Sequence, residues 1–130
     1  MMSLRQLRSR AFERQHGLCF YCGLPMWLTS SDEITCLGVP SGAATPMQCT
    51  AEHLIARKDG GRDTSDNIVA ACVLCNTRRH QRKTPPAPHA HQERVRKRVA
   101  KGKWHPPEIL RMKSALGSFR QIDVPMRLSV

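Results

Sequence analysis

The sequence predicts an α+β fold: two short strands and flanking helices in a small metal-braced unit, followed by a basic, partly helical C-terminal extension. Three observations predict it. Two Cys-x-x-Cys pairs, Cys19/Cys22 and Cys72/Cys75, enclose 49 intervening residues. Short extended stretches and helical apolar spacing alternate around them. The charge is divided: the 130-residue chain carries a formal +11, with 21 Lys+Arg against 10 Asp+Glu and a pI near 10.2, and all of the excess lies after Asn76. A neutral front and a basic rear point to a polyanionic partner, nucleic acid before an anionic membrane.

Residues 3–16 read as an amphipathic helix. Ser3 caps it with Gln6 three positions on; Leu4, Leu7, Ala11 and Phe12 share a face, and Gly17 ends it. Cys19 to Gly23 is a tight turn of metal-knuckle type. Residues 24–48, rich in Ser, Thr, Gly and Pro, show little periodicity and read as a loop or short hairpin. Gln48 to Ile55 looks extended, Arg57 to Asp66 is a glycine-bearing polar loop, and Ile68 to Ala71 can return beside the first strand. Cys72 to Asn76 opens a helix expected to reach about Lys83, where Thr84-Pro85-Pro86 stops it. These elements divide the chain into a domain over 1–83, a stiff Pro-rich linker over 84–92 and a basic extension over 93–130. Within the extension, 93–101 reads as a basic helix docked only by Val95 and Val99. A second helix is expected from Pro107 to Leu116, with Ile109, Met112 and Leu116 on one side and Gly117 after it.

Composition excludes several classes. No apolar run approaches the ~18 residues of a transmembrane helix, and the basic N-terminus lacks the apolar stretch of a signal peptide. A soluble, cytoplasmic protein with no membrane partner and no small-molecule substrate is therefore expected. In that compartment the six cysteines are expected as thiolates rather than disulfides. With 5% aromatic residues the core is thin, and a chain this small benefits from a staple.

The four paired cysteines supply one. Each pair can place two sulfurs about a metal from a tight turn, and two pairs complete the four-coordinate shell of structural zinc. The alternatives are unliganded buried thiols or a redox motif, and two pairs favour the metal. Cys36 and Cys49 belong to no pair and are expected as buried thiols. His89, His91 and His105 lie in Pro-rich surroundings and are expected at the surface.

Inside the zinc-braced segment lie Glu52-His53, Gly60-Gly61, Asn67, then Asn76 directly after the second cysteine pair, and His80 one helical turn later. Through residues 10–83 the sequence resembles the HNH nuclease family, whose core is the ββα-metal fold. The features that carry the resemblance are the acid-His pair at a strand end, Asn67 fourteen residues after His53, and Asn76 nine after Asn67. The resemblance implies a DNA endonuclease needing a catalytic divalent metal (Mg²⁺, Mn²⁺, Ni²⁺ or Zn²⁺) besides the structural zinc. It further implies that His53 activates water, that Glu52, Asn76 and His80 hold the metal, and that Asn67 holds the loop so the imidazole keeps its orientation.

The chemistry of the residues agrees. Phosphodiester hydrolysis needs a deprotonated water and a cation opposite the developing charge, and an imidazole titrates near neutrality. Asn76 and His80, at i and i+4, share a helix face. Glu52 stands where Asp is common, and Ala56 where many members have Pro. Glu52 and His53 would face opposite ways on a regular strand unless it ends or bulges there. Plainer roles stay open beside these: a helix cap for Asn76, a surface position or phosphate contact for His80, a cap for Asn67, and solvated loop charges for Arg57 and Lys58.

The run after Asn76 continues the active-site helix, so Arg78, Arg79, Arg82 and Lys83, with Arg57, are the expected nucleic-acid contacts. DNA is expected as partner before RNA, for which stacking aromatics are few. If six to ten of the fourteen rear cations meet phosphates, affinity falls by about 10³ to 10⁵ between 50 and 200 mM salt. The rival class is a zinc-dependent nucleic-acid-binding protein whose nuclease site is weak or lost.

Overall fold

Ser3 caps the first helix, α1 (Leu4–Arg14), in the computed structural model of the chain, which describes residues 1–112. The cap is reciprocal: Ser3 Oγ accepts from Gln6 N at 3.2 Å while Gln6 Oε1 accepts from Ser3 N at 2.8 Å. That arrangement satisfies two donors the helix start would leave orphaned. His16 (φ 56°) and Gly17 (φ 74°) then turn the chain in left-handed conformations.

The strands β1 (Cys49–His53) and β2 (Ile68–Cys72) pair antiparallel, with Cys49 opposite Cys72 and His53 opposite Ile68. Every residue of β2 is buried, so its second edge must find partners inside the protein. Gln15 provides them: its amide donates to Ala70 O at 2.8 Å and accepts from Ala70 N at 2.9 Å. Phe20 N adds a further bond to Ala70 O.

The strand connection folds back tightly at Gly60-Gly61. A Cβ on Gly61 would lie 1.7 Å from the Ile55 carbonyl oxygen, so only glycine fits there, and Gly60 takes φ 92°. Directly after β2, a short helix that we term the site helix (Val73–His80) begins with Cys72 as its cap, its sulfur accepting from Cys75 N. The helix stops three residues short of the expected Lys83. Arg79 Nε bonds Pro86 O at 2.9 Å, which draws the proline segment back against the helix.

Residues 24–48 are more ordered than a loop. Trp27 bridges to Gln48 beside β1 and donates its indole N–H to Ala44 O at 2.8 Å. One helical turn, Asp32–Thr35, buries Ile34. Burial works against the Glu33 carboxylate, but amide donors from Leu28, Ser30 and Thr29 outweigh it and hold the carboxyl below its ordinary range. Local side-chain bonds, invisible as periodicity, organise this segment.

The rear of the chain departs most from expectation. A helix runs over Pro88–Ala100, beginning inside the stretch 84–92 read as linker; Pro88 occupies its first turn, where a missing N–H costs nothing. We call it the docked helix. It buries His91 and Gln92 besides Val95 and Val99. His91 and His105, expected at the surface, are both buried. Val95, Val99, Trp104, Ile109 and Met112 join Tyr21, Met47 and Val69 in one core, so the extension thickens the thin core of the front. Of the second expected helix, the described residues show a turn over 107–110 that passes into helix at Arg111 and Met112; Leu116 and Gly117 lie outside the described residues. Among the described residues, no helix is long and apolar enough to cross a membrane.

Candidate metal centres and active site

Two knuckles meet at the end of the sheet. Register brings Cys72 to the end of β2, the turn at Cys19–Cys22 packs against Ala70, and the sulfur atoms of Cys19, Cys22, Cys72 and Cys75 lie within 4.8 Å of one another, all buried. Four sulfurs at ~2.3 Å from a tetrahedral zinc would stand roughly 3.8 Å apart. The donor set and its spacing therefore fit a zinc ion. Amide N–H groups of Cys22 and Cys72 point at Cys19 Sγ (3.5 and 3.3 Å), and the Trp104 indole donates to Cys75 Sγ at 3.3 Å. Burial pushes the Cys22 and Cys75 thiols well up. Burial acts the same way on Cys19, but hydrogen bonds from the other three cysteines outweigh it and hold Cys19 well below the thiol range. Without an ion the cluster thus favours a single thiolate, at Cys19.

The two remaining cysteines differ from each other. Cys49 is buried and its thiol is pushed up to about 12 by that burial, whereas Cys36, expected buried, is exposed at the end of the Asp32–Thr35 turn. Iodoacetamide should accordingly label Cys36 alone in the metal-loaded protein, and all six cysteines after chelation and denaturation, as counted by intact mass. Rapid labelling of Cys49 in the native state would contradict this burial.

A second cluster gathers on Glu52. Thr50 and Glu52, two residues apart on β1, face Asn76 and His80, four apart on the site helix. The result is two rungs. Asn76 Nδ2 donates to Thr50 Oγ1 at 3.0 Å, and His80 Nε2 lies 3.1 and 3.2 Å from the two Glu52 oxygens. The Glu52 side chain is only 3% exposed and that of His80 is 35% exposed. Cis ligands at ~2.1 Å in an octahedral shell stand about 3 Å apart, so Glu52 Oε1 and His80 Nε2 fit a divalent cation open to the surface. Asn76 keeps its amide oxygen available, one rung along.

Glu52 Oε2 is held from the other side. Tyr21 OH donates to it at 2.8 Å and Arg79 Nη1 at 2.9 Å; Arg79 also donates to the carbonyls of His53 (3.1 Å) and Leu54 (3.3 Å). Arg79, expected to touch nucleic acid, is buried instead, because a carboxylate inside this core must be matched by a cation and by donors. The Tyr21 hydroxyl, between Glu52 and Arg79, has its ionisation pushed far above the usual range, by burial first and then by the Glu52 charge; it stays a proton donor.

His53 turns away from this cluster, as strand alternation requires. Its Nε2 lies 2.8 Å from Asp63 Oδ1, and Arg57 closes the far side of Asp63 at 2.9 Å. The hydrogen bond from His53, and then that from Arg57, hold the exposed Asp63 carboxyl below its ordinary range. With Nε2 engaged, Nδ1 is the nitrogen left for chemistry. Asn67 binds both arms of the strand connection: its Oδ1 accepts from Ile55 N at 2.8 Å, and its Nδ2 donates to Ile55 O and Arg62 O at 3.0 Å each.

The structure thus joins Glu52 to His80, and Asn76 to Thr50 beside them. It sets His53 on its own dyad and places Asn67 under the loop. Of the expected nucleic-acid contacts, Arg82 and Lys83 are exposed at the end of the site helix, and Arg57 is exposed but paired. Arg78 lies over the Trp104 ring at 4.5 Å and donates to Trp104 O. Tyr21, Asp63 and Trp104 carry no spacing signal and were not found by sequence reasoning; Tyr21 lies inside the first knuckle and Asp63 in the glycine loop.

Two strands and a helix braced by a four-cysteine cluster, with an acid-His pair at the first strand's end, define a small ββα-metal domain. Residues 19–82 match the family model described as HNH endonuclease, and this segment belongs to that family. Among curated proteins and among solved structures, nothing matches the chain. HNH domains act on nucleic acids, which agrees with the basic charge of the rear.

Proposed function

We propose that this protein is a metal-dependent endonuclease that hydrolyses DNA phosphodiester bonds, with zinc in the four-cysteine site as a structural ion. The observation that carries the reading is the pair of candidate ligands Glu52 Oε1 and His80 Nε2, 3.1 Å apart with Glu52 buried and His80 reaching solvent, one residue from an imidazole oriented by a carboxylate. Glu52 and His80, with Asn76 one rung along, would hold a divalent cation. Such a cation, when bound, neutralises charge on the phosphate and the leaving oxygen.

The remaining work falls to the chain's own groups. His53 accepts the proton of the attacking water at Nδ1, while Asp63 at Nε2 fixes the ring and stabilises the cationic imidazolium. The His53 side chain is 17% exposed, enough for water and phosphate to reach it. Asn67 holds the loop that carries Asp63's neighbours. Arg82 and Lys83 place positive charge where the phosphate backbone would leave the site.

A plasmid-nicking assay with Mg²⁺, Mn²⁺, Ni²⁺ or Zn²⁺ tests this directly. His53→Ala should slow nicking by about 10²- to 10⁴-fold, the usual contribution of a positioned base, without loss of DNA binding. The second reading, a nucleic-acid-binding protein with weak or lost cleavage, is favoured by one observation: Arg79 and Tyr21 already occupy Glu52 Oε2. DNA binding with no nicking in any of the four metals would establish that reading and reject the enzyme.

The dyad gives a further expectation. Asp63→Asn should reduce kcat by roughly tenfold to a hundredfold with little change in KM, because it removes orientation of the base rather than substrate contact. Asp63→Glu should recover part of the loss. An equal rise in KM in both variants would show instead that Asp63 shapes binding.

A further inference from the structure

The docked helix presents two opposite faces. Its buried face is pinned to both knuckles: Gln92 Nε2 donates to Phe20 O at 2.6 Å, Arg96 Nε to Tyr21 O at 3.0 Å, and His91 Nε2 lies 3.1 Å from Cys75 O. Past its end, Trp104 bonds Cys75 Sγ. The helix is therefore a fixed part of the domain. On its other face Arg94, Lys97, Arg98 and Lys101 fall at i, i+3, i+4 and i+7, all exposed, which aligns them in one stripe.

Among the described residues one carboxylate stands beside that stripe on its own helix, Glu93, and it forms no ion pair with it. None of the four takes part in any of the ion pairs found among the described residues, which lie at Asp63 and Glu52. Like charges three and four apart on a helix repel. The helix dipole favours Lys97, Arg98 and Lys101 near the C-terminus, but it gives no reason for Arg94 in the middle. A local arrangement that works against helix stability, on an element held rigidly by its opposite face, marks a binding surface.

We propose that Arg94, Lys97, Arg98 and Lys101 form a second phosphate-contacting face that grips duplex DNA beside the cleavage site. The proposal rests on the reading of DNA as the substrate. From Arg94 to Lys101 the stripe measures about 10 Å along the helix, and one strand of a duplex places about three phosphates in that axial length. Its distance from the chemistry is set by the fold. Tyr21, whose hydroxyl holds Glu52, packs edge-on against His91 with ring centroids 4.7 Å apart. One tyrosine ring and one helix, ~10 Å across, thus separate the catalytic carboxylate from the stripe. The contacts would fall on backbone flanking the scissile phosphate, and they would position the protein without reading bases.

The test uses the full metal-loaded chain with all four residues changed to glutamine, and a 30-base-pair duplex. Binding is followed by fluorescence anisotropy from 50 to 200 mM salt. Each lost phosphate contact lowers the slope of log K against log salt by about 0.9, so the quadruple variant should lose roughly three to four from the parent's slope. Arg82→Gln with Lys83→Gln, at the site helix, should lose a further one to two when combined with it. An unchanged slope in a quadruple variant that unfolds at the parent's temperature overturns the proposal, as does a loss of binding seen only on phosphatidylserine vesicles and not on DNA. The nuclease reading fails separately: a parent that shows no nicking yet whose DNA-binding slope falls in the quadruple variant keeps this surface and loses only the enzyme.

Discussion

Removing the zinc proposed for the four-cysteine site, by a strong chelator or by Cys72→Ser with Cys75→Ser, should abolish the cooperative unfolding transition of this protein. The expectation follows from where the cysteines lie. All four belong to the same buried core as Tyr21, Val69, Val95 and Trp104, and the sheet they brace has only two strands of five residues. Structural zinc contributes about 10 to 16 kcal/mol of apparent binding energy, as much as the entire stability of an ordinary domain, ~5 to 15 kcal/mol. The docked helix should be lost with it, because His91 and Trp104 hold on to Cys75. In a Trp27→Phe background, emission reports the indole against the Cys75 sulfur, so chelation should shift it together with the helical circular dichroism. Retention of a cooperative transition by protein shown to contain no metal would sink the structural role.

The next largest effect is expected at Arg79. Arg79→Met keeps most of the side-chain volume but leaves the Glu52 carboxylate, 3% exposed, without its cation. Removing one partner of a buried pair costs about 3 to 5 kcal/mol, because the other charge stays desolvated and uncompensated. Arg79 also satisfies the carbonyls of His53, Leu54 and Pro86, so the loss should lie toward the upper end. Combining Arg79→Met with Glu52→Gln should recover a large part of the stability, since no buried charge then remains. On the proposed endonuclease reading, the double variant should still fail to nick DNA, because the carboxylate is gone. Urea unfolding of the four proteins completes the cycle. A single Arg79→Met variant within about 1 kcal/mol of the parent would show that the pair contributes little.

These two results also separate what the Glu52 environment does for folding from what it does for chemistry. Tyr21, Arg79 and His80 converge on one carboxylate from the first knuckle and from the site helix. The first cysteine knuckle thereby touches the candidate catalytic acid through the Tyr21 side chain. Loading of the cysteine site and the geometry at Glu52 are then coupled by contact.

Much of the domain was legible in the sequence because its signals are local. The Cys-x-x-Cys pairs, the Ser3 and Gln6 cap, the glycines at 60 and 61 and the helix opening at Cys72 each depend on neighbours a few residues away, and residue type at fixed spacing states them. The acid-His pair, Asn67 and Asn76 were recognisable for the same reason. Local spacing could not say which charges face inward. Arg78 and Arg79 are adjacent in one basic run, yet one lies over Trp104 and the other is buried on Glu52. His91 and Gln92 read as part of a linker because polar residues on a buried face break the apolar pattern, although the backbone carbonyls of Cys75 and Phe20 each take a hydrogen bond from one of them.

By itself, then, the sequence determined which cysteines cluster, the order of strands and helix, and the residue types gathered around Glu52 and His53. Only the tertiary structure decided the partners of those residues: Asp63 for His53, Tyr21 and Arg79 for Glu52, Trp104 for Cys75. The physical reason is range. A cap or a knuckle is closed within one turn of chain, whereas a buried charge is stable only among partners that packing brings from 27 and 31 residues away.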